Sequence, residues 1–213
     1  MILPNTPLWE DTDFAKLPEK DWMRIPLKTD WESRIPGKAK IYPLGTKDRA
    51  LVDETFDKLH EAGKLSWTEG STPFSYPVFC VWRTIDGERK GRVVVDIRGL
   101  NAITQPDVYP LPLQTEIISA VRGCPFITVV DCSAFFYQWR VHPSDRHKLT
   151  VVSHRGQESF NVAVMGYNNS PAYVQRQIDR LLRAYRAFAK AYVDDIVVLE
   201  ILTGTHFASA AGL

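Results

Sequence analysis

Read for the spacing of its apolar residues, the chain alternates between stretches of helical period and stretches of strand period, divided by proline, glycine and aspartate. Residues 1–42 carry neither period and, punctuated by Pro and Trp, are expected to form an extended N-terminal lead-in. Val52, Phe56 and Leu59 share one helical face, and HEAGKL puts Gly63 where a helix would end, predicting a helix over 47–62. YPVFCVWR (76–83) and GRVVVDIR (91–98) are strand-like, and the Asp86-Gly87 pair between them predicts a hairpin. PFITVVD (125–131) predicts a buried strand ending on a carboxylate, and HKLTVVSHRGQESFNVAV (147–164) reads as strand, Arg155-Gly156 turn, strand. A helix follows with Ser170 as N-cap and Pro171 at its first position. Val174, Ile178, Leu181, Leu182 and Tyr185 form its apolar stripe, opposite most of its arginines. AYVDDIVV is a strand pair interrupted by two aspartates.

This order predicts an α+β fold, an antiparallel sheet with helices packed on one face and the other face open to a ligand. Composition leaves that picture unchanged: 45% hydrophobic and 24% charged residues suit an ordinary soluble domain. No run reaches the roughly 18 apolar residues of a membrane span, and the N-terminus lacks the basic start and apolar stretch of a signal peptide. An intracellular protein, cytoplasmic or nuclear and without a membrane partner, is therefore expected. Three cysteines without CxxC spacing argue against a disulfide framework or zinc site, and the five histidines show no ligand spacing.

Charge adds more. The net charge of +1 conceals basic zones at 140–155 and 176–190, the latter holding Arg176, Arg180, Arg183, Arg186 and Lys190 against Asp179. Such zones suit either a phosphate backbone or a solvated face. Asp194 and Asp195 sit inside an apolar run, where desolvating an unpaired carboxylate costs several kcal/mol, so they call for a cation, a hydrogen-bond cage or a turn. At a tight turn both could project from the same end. With the TVVD strand alongside, Asp131 would join them, and three carboxylates at one edge suit Mg²⁺. Two such ions about 4 Å apart serve phosphoryl transfer.

At these residues a family resemblance enters. YVDD between hydrophobic strands resembles the YxDD motif of reverse transcriptases. SYPVFCVWRTIDGERKGRVVVDIRGLN resembles their fingers motif, YPLP follows, and ITVVDCSAFFYQWRVHPSDRHKLTVVSHRGQESFNVAVMGYNNSPAYVQRQIDRLL resembles palm motifs A and B. QWRVHPSDRHKLT and SHRGQESFNV look most similar to gypsy-type LTR retrotransposons, with a fungal lineage one candidate source. The resemblance spans residues 22–199 and implies a right-hand polymerase, with fingers at 43–110 and palm at 111–199. The implied activity is RNA-directed DNA synthesis on an RNA or DNA template-primer from deoxynucleoside triphosphates, with two Mg²⁺ ions or Mn²⁺ in their place.

The resemblance also implies residue roles. Asp131 and Asp194 would chelate the metals, with Asp195 as additional carboxylate and the Cys132 carbonyl as a further ligand. Arg83 and Arg92 would clamp the triphosphate, assisted by backbone amides near Ala134 and Phe135. Phe136 would lie under the sugar and reject a 2′-hydroxyl, and Gly166 would admit the nucleotide to the backbone. Asp96 and Arg98 would brace the fingers over the template strand, and Ser170, Pro171, Gln175 and Tyr192 would line the template-primer side. Met165 departs from the Phe or Gln more usual before the motif B glycine. Residues 200–213 match nothing in the family and read as a frame change or read-through, with thumb and ribonuclease H expected from another Pol segment. A catalytically inactive remnant that binds nucleic acid is the alternative, and a metal-dependent nuclease, which leaves the fingers motif unexplained, a distant third.

Overall fold

Helix α1 (Thr46–Glu61) forms where the apolar spacing places it, with Val52, Phe56 and Leu59 as its buried residues. The computed structural model describes residues 14–35 and 40–200. Past the helix, Gly63 takes the left-handed conformation at φ 66°, and its N–H donates to the His60 carbonyl at 2.9 Å. Besides short 3₁₀ segments, the other elements of the described residues are β1 (Leu65–Trp67), β2 (Tyr76–Ile85), β3 (Glu88–Val95), α2 (Arg98–Ile103), α3 (Gln114–Val121), β4 (Phe126–Asp131), β5 (Thr150–Ser153), β6 (Gly156–Phe160), α4 (Ser170–Leu181), β7 (Ala189–Tyr192) and β8 (Asp195–Glu200).

The fold is mixed α and β, with a five-stranded and a three-stranded sheet. Two compact units carry them, Met1–Asp107 with Ala134–Ser170 and Val108–Ser133 with Pro171–Leu213. The contiguous division expected near residue 110 is thus replaced by two interleaved segments in each unit. Strand pairing is the cause, since β5 and β6 return to β2 and β1.

In the first unit the sheet order is β1-β6-β5-β2-β3. Its ladders are antiparallel except β2 with β5, which run parallel, so the sheet is not purely antiparallel. Asp86 and Gly87, at φ 53° and 79°, supply the left-handed pair that a type I′ hairpin turn needs. Strand β3 ends at Val95, three residues short of the predicted end. There the Asp96 side chain accepts from the Arg98 N–H at 3.4 Å, a local bond that turns the chain into α2. The second hairpin turns at His154–Arg155, one residue early, leaving Gly156 at φ 113° as the first residue of β6.

Residues 14–35 are no loose lead-in. Met23 and Ile25 are 1% and 0% exposed, Met23 bridges Val141, and Leu27 bridges Thr104. The segment lacks a period because it lies along irregular backbone, where Ala15 N donates to Gln138 O and His142 N to Met23 O. Asp145 fastens it. This buried carboxylate accepts from Arg24 Nε at 2.7 Å, the Ile25 N–H at 3.0 Å and Lys148 Nζ at 2.7 Å.

In the second unit the order is β4-β8-β7. The apolar β4 is an edge strand, and all six of its residues are exposed, Phe126 and Val129 by 60% and 61%. The expectation of a buried strand is corrected here, because composition marks a strand without saying whether a neighbour covers it. Val174 and Ile178 of α4 are buried, but Leu181 is exposed, since α4 gives way after Leu181 to a tighter 3₁₀ turn at Leu182–Tyr185 that breaks the 3.6-residue stripe. No helix among the described residues is long and apolar enough to cross a membrane. Of the tail expected from residue 200 onward, Glu200 closes β8, and the remainder lies outside the described residues.

Asp145 generates a test. Burial raises its pKa, yet the bonds from Lys148, Ile25 N–H and Arg24 outweigh burial and hold it below the ordinary 3.8. Its stabilising contribution is therefore complete above pH 3.8 and lost as pH falls through the depressed native value. Asp145→Ala is expected to cost about 3 kcal/mol at pH 7. Urea unfolding at pH 7 and pH 3 checks this, the difference from the parent protein shrinking at the lower pH.

Candidate functional site

Backbone geometry at the β7–β8 hairpin decides where the aspartates go. Tyr192 pairs with Asp195, leaving Val193 and Asp194 as a two-residue loop, so the turn falls one residue earlier than a turn centred on the aspartate pair. Val193 lies at φ 54°. A β-branched residue is strained there by about 1–3 kcal/mol, and glycine is the usual occupant. The strained loop is held from two sides. Cys132 N donates to the Asp194 carbonyl at 2.9 Å, and the Gln175 carboxamide accepts from Val193 N at 2.8 Å.

Antiparallel pairing of β4 with β8 sets Asp131 directly opposite Asp195, as the adjacency of the TVVD strand required. Opposed residues present their side chains on the same face, so two exposed carboxylates confront each other. Neither they nor Asp194 make an ion pair with another described residue. Like charges in this position destabilise the ladder, and a divalent cation is the natural counter-charge. The hard oxygens suit Mg²⁺. Even so, no group of three or more His, Cys, Asp and Glu side chains among the described residues is gathered closely enough to hold a metal ion, so the fit rests on the facing pair, with Asp194 next to it on the loop. Burial, and then the negative charge of Asp131, Asp194 and Asp195, pushes the Cys132 thiol up.

Tyr192 and Pro171 are half-buried in this unit, whereas Gln175 is 0% exposed. Gln175, expected to line the template-primer side, is bonded wholly within the unit. Its long amide is consumed by the hairpin backbone.

The first unit holds the other candidates. Arg83 pairs with Lys90 and Arg92 with Val81, which makes Arg83 and Arg92 diagonal neighbours on one face of the hairpin, both exposed. The Arg92 guanidinium reaches Met165 Sδ. Ala134 is exposed in the left-handed region at φ 49°, Phe135 is buried edge-on against Trp139, and Phe136 is half-buried against Phe135. Ser170 is 0% exposed and lies inside α4 rather than capping it, its Oγ donating to the Val164 carbonyl at 2.9 Å. That hydroxyl is unavailable to a template.

A cavity of about 450 Å³ is lined by Tyr42, Phe79, Asp96, Arg98, Asn101 and Gly166, among others. Arg98 donates to Asp96 through Nε at 2.8 Å and Nη2 at 2.7 Å, and the Tyr42 hydroxyl adds a bond of 2.7 Å. The Arg98 hydrogen bonds, followed against the effect of burial by that of Tyr42, hold the Asp96 carboxyl well below the usual range. Gly166, at φ 94°, has a backbone that side-chain-bearing residues rarely adopt, while a Cβ there would meet Ile97 at an ordinary 3.6 Å. Conformation, more than space, demands the glycine. Asn101 staples this loop, donating to Gly166 O at 2.8 Å and accepting from Asn168 N at 2.9 Å. Tyr42 and Asn101 escape sequence reasoning because nothing in their spacing shows a partner 54 or 65 residues away.

The chain is similar to known proteins along most of its length. Residues 86–201, more than half of it, match the family model described as reverse transcriptase (RNA-dependent DNA polymerase). It is 30% identical over 175 residues to the retrovirus-related Pol polyprotein from transposon opus of Drosophila melanogaster, covering 81% of this chain and 17% of that one. It is 31% identical over 196 residues to the enzymatic polyprotein of Cauliflower mosaic virus, covering 90% and 28%. Among solved structures, the foamy viral protease-reverse transcriptase in complex with double-stranded DNA superposes with a TM-score of 0.72 at 19% identity, over 90% of this chain and 31% of that one. The chain thus spans less than a third of each of these relatives.

The opposed carboxylates generate a test. Asp131→Asn removes the like-charge pair, so in EDTA the variant is expected to melt about 1–2 °C above the parent. Adding Mg²⁺ should stabilise the parent and do so far less for the variant. Calorimetry in both buffers measures the crossover.

Proposed function

Because the chain belongs to the reverse transcriptase family, we propose that it is a fingers and palm module of an RNA-directed DNA polymerase, part of a retroelement Pol polyprotein. It would extend a primer 3′-hydroxyl with deoxynucleoside triphosphates along an RNA or DNA template. The observation that carries the reading is the pairing of Asp131 with Asp195 beside the Val193–Asp194 loop, because it concentrates uncompensated carboxylates at a hairpin end.

In this reading Asp131 and Asp194 hold two Mg²⁺ ions, with Asp195 and the Cys132 carbonyl as additional oxygens. The ions, when bound, lower the pKa of the primer hydroxyl and neutralise charge on the triphosphate. The chain's own residues bind and orient. Arg83 and Arg92, exposed on one hairpin face, meet the triphosphate as paired forks. The backbone amides near Ala134 and Phe135 add donors to the same phosphates, and the Phe136 ring lies under the sugar and excludes a 2′-hydroxyl. Gly166 brings unshielded backbone to the nucleotide, while the Asp96–Arg98 pair braces the fingers over the template strand. Pro171 and Tyr192 border the template-primer.

Primer extension on an RNA template with Mg²⁺ tests the reading. Asp194→Asn is expected to lower the rate by about 10³-fold, as the loss of several kcal/mol of charge stabilisation requires. Incorporation that survives the substitution would overturn the assigned site. Template-primer binding without incorporation in either protein would favour the inactive nucleic-acid-binding alternative.

A further inference from the structure

We infer that Gln175 is a positioning residue, whose carboxamide holds the Val193–Asp194 loop in its strained conformation and so aims the hairpin carboxylates; its consequence for catalysis rests on the proposed polymerase reading. A long amide with 0% exposure on α4 must satisfy its oxygen and both N–H groups internally. It does so with three bonds. Nε2 donates to the Ala191 carbonyl at 3.1 Å and to Asp179 Oδ1 at 2.9 Å, and Oε1 accepts from Val193 N at 2.8 Å.

These partners are not arbitrary. In a two-residue hairpin the residues on either side of the last pair turn their backbone groups away from the partner strand. Tyr192–Asp195 is that last pair and β7 is an edge of its sheet, so Ala191 O and Val193 N face outward. Gln175 supplies the acceptor and the donor that a further strand would have supplied. It does this at the residue that pays the conformational penalty, Val193 at φ 54°.

The amide's orientation is determined too. The Asp179 carboxylate can only accept, so the NH₂ end of Gln175 must face it, and the oxygen is left for Val193 N. Asp179 is itself held by the Tyr109 hydroxyl at 2.6 Å, and the Arg176 guanidinium lies 4.7 Å from the centre of the Tyr109 ring. Tyr109, Asp179 and Gln175 thus form one hydrogen-bonded line ending on the aspartate loop.

Gln175→Met keeps the length and removes the amide. Hydrogen–deuterium exchange should rise about 10-fold or more across residues 191–195 while α1 stays protected, and Mn²⁺ affinity, titrated without nucleic acid, should fall about 10–100-fold. In primer extension, kcat should fall by a similar factor with KM for template-primer unchanged. Asp179→Asn, at a half-buried position, should give the same pattern more weakly and covers the case in which Gln175→Met does not fold. Unchanged exchange in the variant that folds would overturn the inference, as would a raised KM with unchanged kcat, the sign of a template contact. Should the parent protein lack polymerase activity, the polymerase reading fails, and exchange and Mn²⁺ binding still decide the role of Gln175.

Discussion

Everything proposed for this molecule depends on an unfavourable pairing. Asp131 and Asp195 stand opposite one another across the β4–β8 ladder, where like charges repel and no described cation intervenes. The apolar ladder maintains the confrontation, because five further residue pairs, from Phe126–Glu200 to Val130–Ile196, fix the register that makes the sixth inevitable. Slipping by one residue would relieve the carboxylates but turn every side chain of β4 to the other face. The local electrostatic cost is thereby held in place by the packing and pairing of the whole ladder.

A second cost lies beside the first. A valine at φ 54° is a poor choice for stability, and such strain persists only where surrounding structure over-determines it. Here the Gln175 amide and the Cys132 N–H do so. The other unit uses the same device, with Asn101 fastening the loop around Gly166 and Asp96 receiving both Arg98 and Tyr42. In each case a side-chain amide or carboxylate satisfies irregular backbone or a paired cation, so the loop does not need a ladder of its own.

Legibility in the sequence followed the range of the interaction. The β2–β3 hairpin was readable because Asp86-Gly87 is a local turn signal, and α1 because its buried face repeats every three or four residues. Residues 14–35 were not, since Met23 and Ile25 are buried by partners more than a hundred positions on, such as Val141 and Asp145. The exposure of β4 is hidden from the sequence for a related reason. Its composition suits an interior strand, and only the strand order reveals an edge. Among candidate site residues, Asp131, Asp195 and the hairpin arginines lie on the strands that their local sequence predicts. The burial of Ser170 and Gln175 is not legible, because a polar side chain carries no mark of whether it faces solvent or backbone.

The sequence by itself determined the elements with local signals, the chemical identity of the carboxylates and the family to which their order belongs. Tertiary structure alone decided which two aspartates face each other, that the turn falls at Val193–Asp194, and that a buried glutamine holds it. The physical reason is that residue type sets what a group can bind, whereas register and burial, which arise from pairing between distant segments, set what it does bind.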